Sequence, residues 1–285
     1  MLGSTCDVDG HARGAEPATG RNVGAWLEHL FAAGHGAWWG RWEAWQLAAI
    51  ATGALVLLRT SGRHTLRPFV AALPFGIAGA LVLGSGGAWA SWLVTRHGAP
   101  PDVELAGMGA LVGLAAGYAL VSGGRGVSPA RALDELARAL GPMWALARVG
   151  CFFAGCDFGA PMRAPRPWAM RYPQGTAAFA TQQAAGLVTP ADALTGLVHP
   201  VQLYECLAGV ALAIVAAAPG GRTPGSRFFR TIVAFAALRA CTDLARGDLP
   251  RDAWGFTATQ WVALAITGVA VTWRASRTSA REPEG

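Results

Sequence analysis

Ionisable residues inside otherwise apolar stretches are the first chemically informative feature of this sequence. An arginine at the centre of a bilayer span costs about 2.5–3.5 kcal/mol, so it normally faces a cavity or a partner. Three segments contain such residues. Arg148 closes the apolar run of ALARVGCFFAGCDFG, where Gly150, Gly155 and Gly159 allow backbones to approach. LRACTDLARGD places Arg239, Asp243 and Arg246 at i, i+4 and i+7, which is one face of a continuous helix. HPVQLYEC places His199, Gln202 and Glu205 at steps of three from a proline-initiated helix, leaving Leu203 and Leu207 to face lipid.

Arginines gathered in a membrane cavity suit the phosphate of a lipid, because guanidinium forks bind phosphate oxygens in pairs. The carboxylates then gain a task that lipid binding alone does not require. Glu205 or Asp243 can accept a proton from an incoming nucleophile, and Tyr204 can donate a hydrogen bond. Group transfer from a phospholipid is the expected chemistry, with the acceptor left open by spacing alone. Simpler readings stand beside it: Arg239 and Asp243 neutralise each other, Arg148 and Arg246 reach out to headgroups, and His199 satisfies a helix start.

Cysteines add less. Cys151 and Cys156 are five apart, out of phase on a helix and without a histidine cluster, so neither a metal site nor a cofactor is expected. If the glycines bend the chain after Arg148, both thiols line the cavity. Cys206 and Cys241 read as small buried hydrophobes. With Cys6 the total is five, an odd number and no disulfide framework.

The elements that position these residues follow from composition. Of 285 residues, 53% are hydrophobic and only 14% charged, where a soluble domain carries about a quarter. This predicts an all-α polytopic membrane protein. All 23 basic residues are arginine, which excludes Schiff-base and lysine-nucleophile mechanisms. The net charge of +6 reads as loop topology, with no nucleic-acid partner expected. There is no Walker loop, dinucleotide fingerprint or internal repeat, and a transporter would need two matched halves. The opening MLGSTCDVDGHARG lacks the basic and apolar regions of a cleavable signal peptide.

Seven apolar segments are long enough to be candidate spans: about 43–58, 68–95, 104–122, 130–152, 200–218, 229–246 and 255–273. Eleven arginines fall on one side: Arg59, Arg63, Arg67, Arg125, Arg131, Arg222, Arg227, Arg230, Arg274, Arg277 and Arg281. That side is expected to be cytoplasmic, with the N-terminus outside and the C-terminus inside. Trp38, Trp39, Trp42 and Trp45 fit an interfacial belt at the first span. The expected organisation is an outside or interfacial segment 1–42, a seven-helix domain 43–273 and a cytoplasmic tail 274–285. The long loop 153–199, between the fourth and fifth helices, faces outward and is long enough to be functional.

In order along the chain, ALARVGCFFAGCDFGAP, PWAMRYP, HPVQLYE, LRACTDLARGD and TATQWVAL resemble the prolipoprotein diacylglyceryl transferase family. HPxQLYE and RxGxFxxG are the specific parts, and the likeness covers roughly 105–270. It implies a seven-helix enzyme of the bacterial plasma membrane. Such an enzyme moves diacylglyceryl from phosphatidylglycerol to the lipobox cysteine of a prolipoprotein signal peptide, releasing glycerol phosphate at the outer face. By the same resemblance Arg148 binds phosphatidylglycerol, Arg239 is the essential arginine of the sixth span, and Tyr204 and Glu205 match a Tyr-Glu pair. Asp243 stands where the family usually has Glu. His199 and Gln202 are expected to order the loop near the headgroup, and with Cys151, Cys156, Gly159 and Arg246 to belong to the substrate-binding site.

Two departures accompany the likeness. Cys151 and Cys156 replace the usual Asn and Glu, and Met108 stands in the place of the catalytic histidine. Met cannot take a proton. A free thiol near pKa 8.5 is already a few per cent ionised at pH 7, so full deprotonation contributes only about 2 kcal/mol. His97 and Glu104 are the nearest alternative bases in the sequence. Two other readings are a relative with a different acceptor and a non-catalytic lipid-binding protein of the same fold.

Overall fold

A computed structural model describes residues 23–86, 93, 107–162, 164–219, 223–249 and 251–279. Among these residues the chain is helical, with isolated β-bridges as its only extended pairing. His97, Glu104, Arg96 and Cys6 lie outside the described residues, as do parts of the 1–42 and 274–285 segments.

Each of the seven apolar segments overlaps a helix among the described residues. They are α2 (Trp42–Thr60), α3 (Leu66–Gly84), α4 (Gly107–Gly123), α5 (Pro129–Ala154), α7 (Val201–Ala217), α8 (Ser226–Asp243) and α9 (Ala258–Ser279). Two further helices were not anticipated: α1 (Val23–Gly34) ahead of the first span and α6 (Ala177–Ala184) within the long loop. By length and apolarity alone, the described helix at Arg63–Gly84 is sufficient to cross a membrane, while Gly107–Gly123, Val201–Ala217 and Thr259–Val269 are apolar but shorter. Charge within α5 and α8 lowers their hydropathy, and it is also what makes them informative.

Small residues set how closely the helices pack. In α4, Gly109 and Gly113 press against α3, where a Cβ on Gly109 would lie 2.0 Å from the carbonyl oxygen of Gly79. Gly141 of α5 and Gly209 of α7 form a second such crossing, with a Gly209 Cβ falling 2.6 Å from the Ala145 nitrogen. Such backbone proximity brings the helices into extensive van der Waals contact. One turn beyond this crossing lie Arg148 on α5 and Glu205 on α7.

A carboxylate fixes α8 against α5. Asp134 accepts hydrogen bonds from the Gly225 nitrogen at 2.7 Å and the Phe228 nitrogen at 2.8 Å, capping α8 at its positive end. Arg148 and Arg239 lie equal numbers of residues beyond this tie, about 21 Å along each helix at 1.5 Å per residue, which brings them to one level. Trp144 and Phe235 pack edge to face between tie and arginines, with centroids 4.8 Å apart. The turns nearest the tie are arginine-rich and meet each other: Arg138 donates to Ser61 at 2.9 Å, and His64 contacts Glu135 at 3.4 Å. Arg148 and its partners therefore occupy the end opposite the arginine-rich turns.

At that end the long loop folds over a second apolar core. Leu27 and Phe31 of α1 pack with Phe152, Phe158, Met170 and Tyr172. The Gly24 nitrogen donates to the Pro167 carbonyl at 2.7 Å and the Arg171 nitrogen to Glu28 at 2.8 Å, so α1 is a lid over the loop. Bridges of Val198 with Pro161 and Met170 return the loop to α7.

Candidate functional site

Three arginines from three places in the chain converge on one buried carboxylate. Glu205, fully buried, receives Arg148 Nε at 2.6 Å, Arg246 Nη1 at 3.4 Å and Arg239 Nη1 in close contact. Asp243, equally buried, holds Arg239 Nη2 at 2.9 Å. The i, i+4 spacing of Arg239 and Asp243 accounts for that pair alone. Arg246 is not on the helix, because α8 stops at Asp243, and it reaches Glu205 from the turn beyond. Arg251 Nη2 donates to the terminal carbonyl of Asp243 at 2.9 Å, satisfying a helix end that would otherwise be left open.

Two carboxylates from loops complete the cluster. Asp157 bridges Arg246 Nη2 at 2.7 Å and Arg148 Nη1 in close contact, and Asp248 takes Arg246 as a two-pronged pair, each bond 2.6 Å. Three guanidiniums thus meet four carboxylates. Burial alone would raise the Asp157 carboxyl, but Arg148 and Arg246 outweigh it and hold it well below the usual carboxylate range. Asp157 and Asp248 retain 28% and 21% side-chain exposure, against none for Glu205 and Asp243. An anionic ligand can displace the loop carboxylates far more easily than the helix-borne ones.

Asp243 is further fixed by α9. Thr257 Oγ1 donates to its Oδ2 at 2.9 Å, Thr259 Oγ1 donates to the same oxygen, and Gln260 Nε2 donates to the Ala240 carbonyl at 3.1 Å. Composition and periodicity gave no reason to select Thr257, Thr259, Asp157 or Asp248. The available signal was location: Asp157 follows the GxxxxG bend, Asp248 follows Arg246 by two, and the threonines open TATQWVAL.

The remaining predicted residues stand around the cluster. Gln202 accepts from the buried Tyr172 hydroxyl at 3.1 Å and donates to the Cys156 carbonyl at 2.7 Å, joining loop, bend and α7. His199 precedes α7 instead of starting it, and its Nδ1 lies 3.2 Å from the Tyr204 hydroxyl. Burial pushes this imidazole below its ordinary value, favouring the neutral form. Tyr204 therefore contacts His199, one residue away from the carboxylate that meets the arginines. Gly159 is a backbone crossing: its Cβ would lie 2.2 Å from the His199 carbonyl oxygen, and it pairs with Arg246 in an antiparallel bridge. Met108 is buried at the start of α4, next to Gly107, whose Cβ would be 3.8 Å from Arg148 Nη2.

The bend after α5 gives the two thiols a new relation. The helix ends at Ala154, Gly155 takes φ 69° and Asp157 φ 55°, and the chain reverses. Cys151, Cys156 and Asp157 then offer ligand atoms that all lie within 4.8 Å of one another. Cys151 Sγ is 3.5 Å from Arg148 Nη1.

Chemically, the site combines fixed cations at the depth of α5 and α8 with exchangeable carboxylates on the loop side, an arrangement suited to a phosphate-bearing ligand. Comparison with families finds a match to prolipoprotein diacylglyceryl transferase over residues 92–274, more than half of the chain and inclusive of every residue of the cluster. Comparison with individual curated proteins finds no match.

Proposed function

The chain belongs to the prolipoprotein diacylglyceryl transferase family, a family of membrane transferases in lipoprotein biosynthesis, and from that premise we propose that its donor is phosphatidylglycerol and its acceptor the lipobox cysteine thiol of a prolipoprotein. The observation that carries this reading is the convergence of Arg148, Arg239 and Arg246 on Glu205. In the reaction the acceptor thiol gives up its proton to solvent, its sulfur forms a bond to the glyceryl carbon, the carbon–oxygen bond to phosphate breaks, and the electron pair leaves on glycerol phosphate.

Arg148 and Arg239 bind the lipid phosphate and stabilise the charge that develops on the departing oxygen. Asp157 is the placeholder: it spans Arg148 and Arg246 in the resting protein and yields them to the headgroup. Glu205 and Asp243 keep the guanidiniums from turning away, and a preorganised donor of this kind costs no reorganisation at the moment of reaction. Gln202 and His199 hold the loop above the headgroup. Seven spans with the arginine-rich turns in the cytoplasm put the cluster in the outer leaflet of the bacterial plasma membrane, with the N-terminus outside and the C-terminus inside.

The test is thioether formation on a lipobox peptide in phosphatidylglycerol vesicles. Arg148→Ala and Arg239→Ala should each lower the rate by about 10²–10³-fold, the loss typical of one charge-stabilising donor. Undiminished transfer in either variant overturns the assignment. Met108, where a proton acceptor would be wanted, favours one second reading: the same donor with a different acceptor. Rescue of lipoprotein lipidation in a strain lacking the transferase separates the two, since only the first reading predicts it.

A further inference from the structure

Spacing hides the relation between Cys151, Cys156 and Asp157, because residues five apart on a continuous helix point away from one another. The left-handed residues Gly155 and Asp157 end the helix and fold Cys156 and Asp157 back beside Cys151. Two sulfurs and a carboxylate oxygen within 4.8 Å of one another form a ligand set with one position short of a tetrahedron. We infer that these three residues bind a thiophilic divalent cation of the Zn2+ type, and that its open fourth position takes the acceptor thiol and presents it as thiolate. This inference rests on the transferase reading above and supplies what that reading lacks, a means of ionising the acceptor in a chain with the non-basic Met108 buried at the start of α4.

Geometry and charge both support it. Zinc–thiolate bonds of about 2.3 Å place two tetrahedral ligands about 3.8 Å apart. The three atoms therefore need to close by no more than about 1 Å, within reach of side-chain rotation at a helix end. Two thiolates and one carboxylate around a divalent ion leave a net charge of −1, and Arg148 Nη1 lies 3.5 Å from Cys151 Sγ to balance it. A carboxylate turned toward the metal also loosens its hold on Arg148 and Arg246, which clears both guanidiniums for the lipid phosphate. A three-ligand site that keeps one position open is the pattern of catalytic zinc, whereas structural zinc is closed by four protein ligands.

The balance of the step is simple. Metal binding displaces the protons of Cys151 and Cys156 to solvent, and binding of the acceptor displaces a third. The coordinated sulfur uses a lone pair to attack the glyceryl carbon while the bond from that carbon to phosphate oxygen breaks. Glycerol phosphate leaves with the electron pair, held by Arg148 and Arg239. The product sulfur is an uncharged thioether, a poor ligand, and leaves the metal. No electron is transferred.

The experiment uses the full chain in detergent, stripped with chelator and titrated with Co2+. One ion per chain should bind with a cobalt–thiolate charge-transfer band. Adding a lipobox peptide should perturb that band, and the serine variant of the same peptide should not. Cys151→Ser and Cys156→Ser should each weaken binding by at least ~100-fold, with helical circular dichroism confirming that each variant is folded. Chelation should abolish thioether formation and Zn2+ restore it. Absence of the band in folded protein, or transfer that survives chelation, overturns the metal site and leaves the transferase reading standing. A disulfide between Cys151 and Cys156 in the active protein overturns it as well. A peptide-sensitive band in a protein that forms no thioether upholds the metal site and sinks the transferase reading.

Discussion

Replacement of Glu205 by Gln tests the central physical claim, that one buried carboxylate organises three guanidiniums. Glu205 has no solvent exposure and holds Arg148 Nε at 2.6 Å and Arg246 Nη1 at 3.4 Å, with Arg239 in closer contact. Gln fills the same volume and keeps one acceptor oxygen, but its amide turns N–H groups toward cations and removes a full negative charge. Breaking a buried ion pair by deleting one partner costs about 3–5 kcal/mol, because the other charge is left without compensation. At roughly 2–4 °C per kcal/mol for chains of 150–250 residues, the unfolding midpoint should fall on the order of 10 °C. Thermal unfolding in detergent, followed by circular dichroism, reads this directly. A double-mutant cycle sharpens it: Arg239→Gln alone takes from Asp243 its guanidinium partner and from Glu205 one of three, so the combined variant should cost less than the two separately by about 1–3 kcal/mol. A midpoint within about 2 °C of the parent for Glu205→Gln, or strict additivity with Arg239→Gln, would refute the reasoning.

Two further outcomes follow from the loop side of the cluster. The Asp157 carboxyl is held below its ordinary range by Arg148 and Arg246 against the opposing effect of burial. A lowered folded value contributes stability that is present above the unfolded pKa of about 3.9 and lost as pH falls further. Unfolding midpoints should therefore be flat near neutral pH and decline in acid, with a shallower decline in Asp157→Asn; superimposable acid profiles would rule this out. Gly159→Ala should destabilise by about 1–3 kcal/mol, as overpacking does, and slow transfer, since its Cβ would stand 2.2 Å from the His199 carbonyl oxygen and push the Arg246 bridge apart. Gly123→Ala, with nothing within 4 Å of its Cβ, is the control and should be neutral by the same melting assay.

The sequence alone determined the helical class and the segments in which seven of the described helices fall, because apolar runs of about 20 residues have few other ways to satisfy their backbone. It also singled out Arg148, Glu205, Arg239, Asp243 and Arg246, because charge in an apolar segment is expensive and so marks itself. What it could not determine was who partners whom. Arg246 looked like a third residue on one helical face and instead enters from a turn, since α8 ends at Asp243. No sequence pattern set Asp157 or Asp248 apart: Asp157 reaches the cluster through the bend at the left-handed residues Gly155 and Asp157, and Asp248 through the turn that follows α8. The proximity of Cys151 to Cys156 has the same origin: periodicity describes a continuing helix, and tertiary structure decides where that helix stops. Local pattern fixes which residues must be buried, while the contacts between distant segments fix what they are buried against.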